Sequence, residues 1–445
     1  MSTLLICNAQ VVNEGRIQKA DVLACDGRIA RIDSDLSQIT SDQFIDASGL
    51  YLLPGMIDSQ FGIVGEEVKP EILARECQAA VVGGVTSVLL LPDLHTESHR
   101  KTNFSEKQLE ALGHTLVTNF SYYQAVRVNE VEDLSGLSLK ACCGLYADMA
   151  DFQDEYRFDE PDVLQSLLEN SPIIVAVHAE SAPLILGNEE SYRQVYGDKI
   201  PFHLHSSIRN QEVCSIAADE VLRLAKHTQA NVHLLHISSD AEVELLAKYR
   251  AEYSNVSADV CSQFLVFTDT DSAKKGTQLK YCPAIKTDID RAALIQGLLD
   301  GNIDNICTGH IPIARRDKEQ DYLDVPSGLP QAQFAMPAVL EHFQDQILSL
   351  ELIVEKTSHA VADRFSIGER GYIREGYWAD LILVDIDRSF IARNEDVISS
   401  AGWTVYNGSE FRSSVHTTIV NGQVAWRNNA LVDGVRAGQL IDFAR

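Results

Sequence analysis

Basic charge is scarce in this sequence. Its 37 lysines and arginines face 64 acidic residues, a formal net charge of −27. A surface of that sign repels nucleic acid and anionic membranes, which excludes both as partners. A solvated acidic surface is the plain reading of the excess, and a basic partner subunit the sharper one. Paired cysteines are also missing. Nine cysteines occur with no Cys-x-x-Cys spacing, so neither a zinc knuckle nor a disulfide framework is expected, and Cys142 and Cys143 read as ordinary buried thiols. No apolar run approaches the roughly 20 residues that cross a bilayer. Residues 1–8 lack the basic region and apolar run of a signal peptide, and the expected compartment is the cytoplasm. No Gly-x-Gly-x-x-Gly follows a strand-like run, which leaves a dinucleotide site unsupported. Aromatic residues make up 7%, yet 45% of the chain is hydrophobic, enough over 445 residues for a large core.

The pattern of what is present changes twice along the chain. Up to about residue 52 it shows short apolar runs with Gly, Asn and Asp at the joints: Leu4-Leu5-Ile6, Ala9-Gln10-Val11-Val12, Asp21-Val22-Leu23-Ala24, Gly27-Arg28-Ile29-Ala30-Arg31-Ile32 and Gln43-Phe44-Ile45-Asp46-Ala47. These predict antiparallel hairpins. From Leu53 onward, continuous apolar runs alternate with amphipathic stretches such as residues 69–83 and 212–228. The runs include Ser87-Val88-Leu89-Leu90-Leu91, Ile173-Ile174-Val175-Ala176-Val177, Val232-His233-Leu234-Leu235-His236 and Ile303-Asp304-Asn305-Ile306-Cys307. A strand apolar on both faces is buried on both, as in a parallel sheet. Several strand–helix units over about 310 residues fit a (β/α)8 barrel, with an open doubly wound sheet as the alternative. Strands return after residue 376, and Asn421-Gly422 marks a hairpin turn. The expected fold is an α/β chain: a TIM-type barrel over residues 53–366 and a small β-sandwich built from residues 1–52 and 367–445.

The motifs resemble those of the amidohydrolase superfamily, and within it the dihydroorotases. Pro54-Gly55-Met56-Ile57-Asp58 is similar to the lead into the first barrel strand. Residues 79–88 are similar to the helix and strand that follow it. Leu91-Pro92-Asp93 stands for Met-Pro-Asn, Val177-His178-Ala179-Glu180 for His-Ala-Glu, and Leu235-His236-Ile237-Ser238-Ser239 for His-(Ile/Val)-Ser. Tyr281-Cys282-Pro283-Ala284-Ile285-Lys286 parallels Asn-Pro-Pro-Leu-Arg, and Thr308-Gly309-His310-Ile311-Pro312 parallels Thr-Asp-His-Ala-Pro. Residues 378–385 resemble the entry to the C-terminal strands.

The resemblance implies zinc chemistry, in which a metal lowers the pKa of bound water and polarises a cyclic amide. It also shows where the ligands fail. The first-strand His-x-His pair is replaced by Gln60 and Gly62. The bridging lysine is absent from residues 141–148, where Lys140 lies at the wrong strand end and Asp148 is the nearest acid. The last-strand aspartate is Gly309. His178 and His236 are retained, but two imidazoles fall short of the three or four protein ligands zinc sites use. Substrate-binding positions depart as well: Val64 replaces an arginine, Asp93 and Cys282 replace asparagines, and Ile313 replaces a histidine. His203, His205 and His233 have no counterpart, His310 reads as structural beside Gly309, and Glu66-Glu67 reads as solvated. The resemblance therefore implies a dihydroorotase-like pseudoenzyme of pyrimidine biosynthesis, closest to the non-catalytic homologue that associates with aspartate carbamoyltransferase. It would need no cofactor and act as a structural subunit and homo-oligomer. The alternative is an active cyclic amide hydrolase with a mononuclear zinc on His178, His236 and Asp148, and Asp58 or another acid as base.

Overall fold

The protein is described by a computed structural model over residues 2–62, 70–92, 106–134, 136–151 and 153–445. Eight parallel strands form one sheet in sequence order: β6 (Met56–Phe61), β7 (Val85–Leu90), β8 (Asn119–Ala125), β9 (Cys142–Asp148), β10 (Val175–His178), β11 (Val232–Leu234), β12 (Val256–Cys261) and β13 (Asn305–Cys307). Every residue of these strands is buried, as their continuous apolar character predicts. The sheet closes on itself through a parallel bridge from Phe61 to His310, where the Gly62 N–H donates to the His310 carbonyl at 2.6 Å. Helices cover the outside. That over Gln211–Thr228 begins where the Asn210 side chain accepts from the Val213 N–H at 3.1 Å. That over Asp288–Leu299 begins with a reciprocal Thr287–Asp290 cap. Each cap satisfies backbone donors that the first helical turn leaves open.

The two ends of the chain meet in a nine-stranded sheet. The first half supplies β1 (Thr3–Asn13), β2 (Arg16–Cys25), β3 (Arg28–Asp33), β4 (Gln43–Asp46) and β5 (Tyr51–Pro54). The second half supplies β14 (Leu381–Asp385), β17 (Ser414–Val420), β18 (Gln423–Arg427) and β19 (Ala430–Leu431). A short ribbon of β15 (Phe390–Ile391) and β16 (Glu410–Phe411) stands apart. The seam between the halves is β5 against β14, antiparallel, with Leu52 opposite Leu383. The hairpin expectation is met by β1, β2 and β3 but not by β4, which pairs parallel to β1. Residues 34–42 recross between β3 and β4, and Leu36 is buried on the way. The Asn421-Gly422 turn joins β17 and β18 with φ of +48° and +74°, the left-handed pair a two-residue hairpin requires. Asn421 also donates to Asn119 of β8 at 2.6 Å, locking the composite sheet to the barrel wall. The sheet encloses its own core, including Leu4, Ile6, Val22, Ile45, Leu381 and Ile419, separate from the barrel core. No helix among the described residues is long and apolar enough to cross a membrane.

Candidate active site

The C-terminal ends of barrel strands are where such folds assemble their chemistry, and the retained histidines lie there. His178 ends β10, and His236 lies two residues past β11. The two imidazoles touch: His178 Nδ1 is 3.1 Å from His236 Nε2, with the rings 4.7 Å apart edge to face. The other nitrogen of His178 is 3.0 Å from Glu180 Oε2, and Glu180 in turn holds the Arg209 guanidinium. Burial works against charge on His178, but the carboxylates of Asp148 and Glu180 outweigh it and raise its basicity. Burial and the neighbouring charge of His178 push His236 down to about 3. Burial favours the neutral acid at Glu180, yet Arg209 and His178 hold it well below the usual carboxylate range.

On the other side of the barrel the ligand positions are filled in. Gln60 is fully buried, and its Nε2 donates to Asp259 Oδ1 at 2.6 Å. Gly62 packs so tightly that an added Cβ would stand 2.8 Å from Ile311 Cγ1 and 2.9 Å from the His310 carbonyl oxygen. Gly309 has φ +57°, and its Cβ would run into the Tyr281 hydroxyl and lie 2.6 Å from Cys261 Sγ. An aspartate there meets both backbone strain and an occupied space. Tyr281 is wedged in place by rings on two sides, 5.8 Å from Phe264 and 6.4 Å from His236, while its carbonyl accepts from His205 at 2.8 Å.

Asp148 is level with His178 in the pairing of β9 with β10. Its oxygens are taken by the Ala150 N–H at 2.8 Å and the Tyr146 hydroxyl at 3.2 Å. Asp58 faces β13, where it accepts from the Thr308 N–H at 2.9 Å and from the Thr308 hydroxyl. Burial pushes it up to about 6 against those bonds. His310 bridges Glu76 at 3.1 Å and the Gln331 N–H at 3.0 Å, a packing tie between a helix and a loop. His205 joins Tyr322 and Tyr281, and His233 joins Ser257 and Asp259.

Among the described residues no three His, Cys, Asp or Glu side chains converge to hold a metal ion. The buried His236 Nδ1 and Gln60 Oε1 have no hydrogen-bond partner among the described residues. They do not make up a zinc set: one is a weak amide oxygen, and a third and fourth ligand are blocked by packing at Gly62 and Gly309. The substrate positions fare similarly. Cys282 gives its N–H to Ser327, and Ile313 is buried with its carbonyl accepting from Trp403. Val64, Asp93 and the Glu66-Glu67 pair lie outside the described residues. The cavity bordered by Pro92, Ala125, Tyr146, Asp148 and Tyr156 measures about 10 Å³, room for about one water.

No family model matches the chain. It is 28% identical over 429 residues to a dihydroorotase of Lactobacillus gasseri, covering 95% of this chain and 98% of the relative. It is 24% identical over 432 residues to an allantoinase of Bacillus velezensis, covering 96% and 94%. The dihydropyrimidinase structure from Brevibacillus agri superposes with a TM-score of 0.87 at 23% identity over 100% of both chains. An L-hydantoinase from Arthrobacter aurescens gives 0.88 at 22%, over 99% of this chain and 100% of the other. The chain has the fold of these dihydropyrimidinase and hydantoinase structures. In this barrel the sequence motifs locate the strand ends but miss what occupies them. Asp259, Ser59 and Tyr281 stand outside every ligand or substrate position of the resemblance. A signal for Asp259 does exist: it is the one acid inside the otherwise uncharged strand Val256–Cys261.

Proposed function

We propose that this chain is a non-catalytic dihydroorotase-like protein of pyrimidine biosynthesis, a structural subunit for aspartate carbamoyltransferase. The observation that supports it best is Gly309 under Tyr281. The position expected to supply both a metal ligand and a proton shuttle has no side chain, and the tyrosine hydroxyl fills its space. With Gln60 bound to Asp259 and Gly62 packed on Ile311, the remaining imidazoles cannot gather the ligands that would activate water. The partner comes from the resemblance, and the net charge of −27 suits a basic face on such a partner.

One observation favours a second reading, a working cyclic amide hydrolase with one zinc. His236 Nδ1 and Gln60 Oε1 are buried without partners, and Asp148 is level with His178. Among the described residues such a site would still lack an anchor for a substrate carboxylate. Zinc content per chain and dihydroorotate hydrolysis with added zinc separate the two. The non-catalytic reading expects far less than one zinc per chain and no turnover. Stoichiometric zinc, with activity that disappears in His178→Ala, would overturn it. Co-expression with aspartate carbamoyltransferase is expected to yield a large co-migrating complex on size exclusion, and separate elution at high concentration removes the partner.

A further inference from the structure

The barrel end without a metal set is nonetheless organised around one group. Asp259 is fully buried on β12 and accepts four hydrogen bonds from three other segments. Gln60 Nε2 (2.6 Å) and Ser59 Oγ (3.0 Å) reach it from β6, and His233 Nε2 (3.0 Å) reaches it from β11. The fourth is the backbone N–H of His236, at 2.5 Å. Ser59 passes the connection on, since its hydroxyl accepts from Asn305 Nδ2 of β13 at 3.0 Å. The Tyr123 hydroxyl of β8 also donates to the Ser59 carbonyl at 3.0 Å. His236 has φ +40°, a left-handed backbone that a non-glycine residue adopts only when its surroundings hold it there. Asp259 bonds the N–H of that residue. An unpaired carboxylate with no solvent would be costly to bury, and here all the approaching groups donate.

We propose that the Asp259 carboxylate is the cross-strand tie of this barrel end, holding β6, β11, β12 and, through Ser59, β13 together by hydrogen bonds where a metal would do so by coordination. Gln60 is then a positioning residue of the tie and not a vestige. Its amide supplies a donor, which a carboxylate accepts and a metal ion does not, so the substitution fits this centre and opposes the other. The inference rests on the non-catalytic reading only in taking the centre to be metal-free.

A double-mutant cycle on the full-length protein tests it. Gln60→Leu and Asp259→Asn are each expected to lower the thermal midpoint by about 2–3 °C or more, the scale of a lost hydrogen bond to a buried charge in a chain of this size. The double variant is expected to lose clearly less than the sum. Should Asp259→Asn not fold, Ser59→Ala against Gln60→Leu reads the same carboxylate. Midpoints of the wild type with excess zinc and with chelator complete the experiment and are expected to coincide. Additive losses without a zinc effect overturn the tie alone. A rise of several degrees with zinc overturns the tie and the non-catalytic reading together.

Discussion

At β10 and β11 the two histidines expected as ligands bond each other, and His178 is held in addition by the Glu180–Arg209 pair. At β6 and β13 the ligand positions hold Gln60, Gly62 and Gly309, and neighbouring groups have closed over them. Both halves sit in one buried barrel end, but they carry different constraints. The histidine half keeps charge in the interior and must balance it. The glycine half fills its positions by packing at Gly62 and Gly309 and by the Gln60 hydrogen bond to Asp259. A retained residue is therefore not evidence of a retained function: His178 is fully accounted for by its hydrogen bonds. A substituted one is not evidence of neglect, because Gln60 makes one of the shortest contacts in the centre.

The contrast can be broken most severely at β13. Gly309→Asp adds left-handed backbone strain to overlap with Tyr281 and Cys261. It is expected to cost about 3 kcal/mol or more in chemical denaturation. A neutral result would show that Tyr281 yields freely and that the site reopens. Next in size is the histidine half. Glu180→Gln is expected to cost about 2–3 kcal/mol at pH 7 by leaving Arg209 without its buried partner. The folded carboxyl titrates below its ordinary value of 4.5. Its stabilisation is thus fully present above that value and is lost as pH falls below it toward the folded value. The variant is expected to lose less stability than the wild type between pH 5 and pH 3, and parallel acid limbs would refute the pairing. The smallest effect belongs to Gly62→Ala. Ile311 can shift but the His310 carbonyl cannot, so about 1–2 kcal/mol is expected from the same denaturation curves.

Much of the barrel was legible because burial on both faces leaves a mark in one dimension. The runs at 87–91, 173–177 and 232–236 need no partner to be recognised, and they lie on β7, β10 and β11. The Asn421-Gly422 turn was legible for a similar reason, since two positive φ angles limit which residues can stand there. Pairing was less so: β4 lies parallel to β1 because of a crossover that local pattern does not encode. In the centre, motif positions located the histidines and the empty places. They left out Asp259 and Tyr281, whose roles depend on groups far away in the chain. Asp259 meets Gln60 across 199 residues, and no local spacing announces that encounter.

By itself the sequence determined an acidic chain of strand–helix units with strands at both ends. These follow from composition and periodicity, whereas the expectation of a ligand set too short for zinc came from the resemblance. Tertiary structure alone decided that Tyr281 fills the space beside Gly309, that His178 and His236 bond to each other, and that four donors converge on Asp259. Those facts concern which atoms share a volume, and only the closing of the barrel brings them within 3 Å or so of one another.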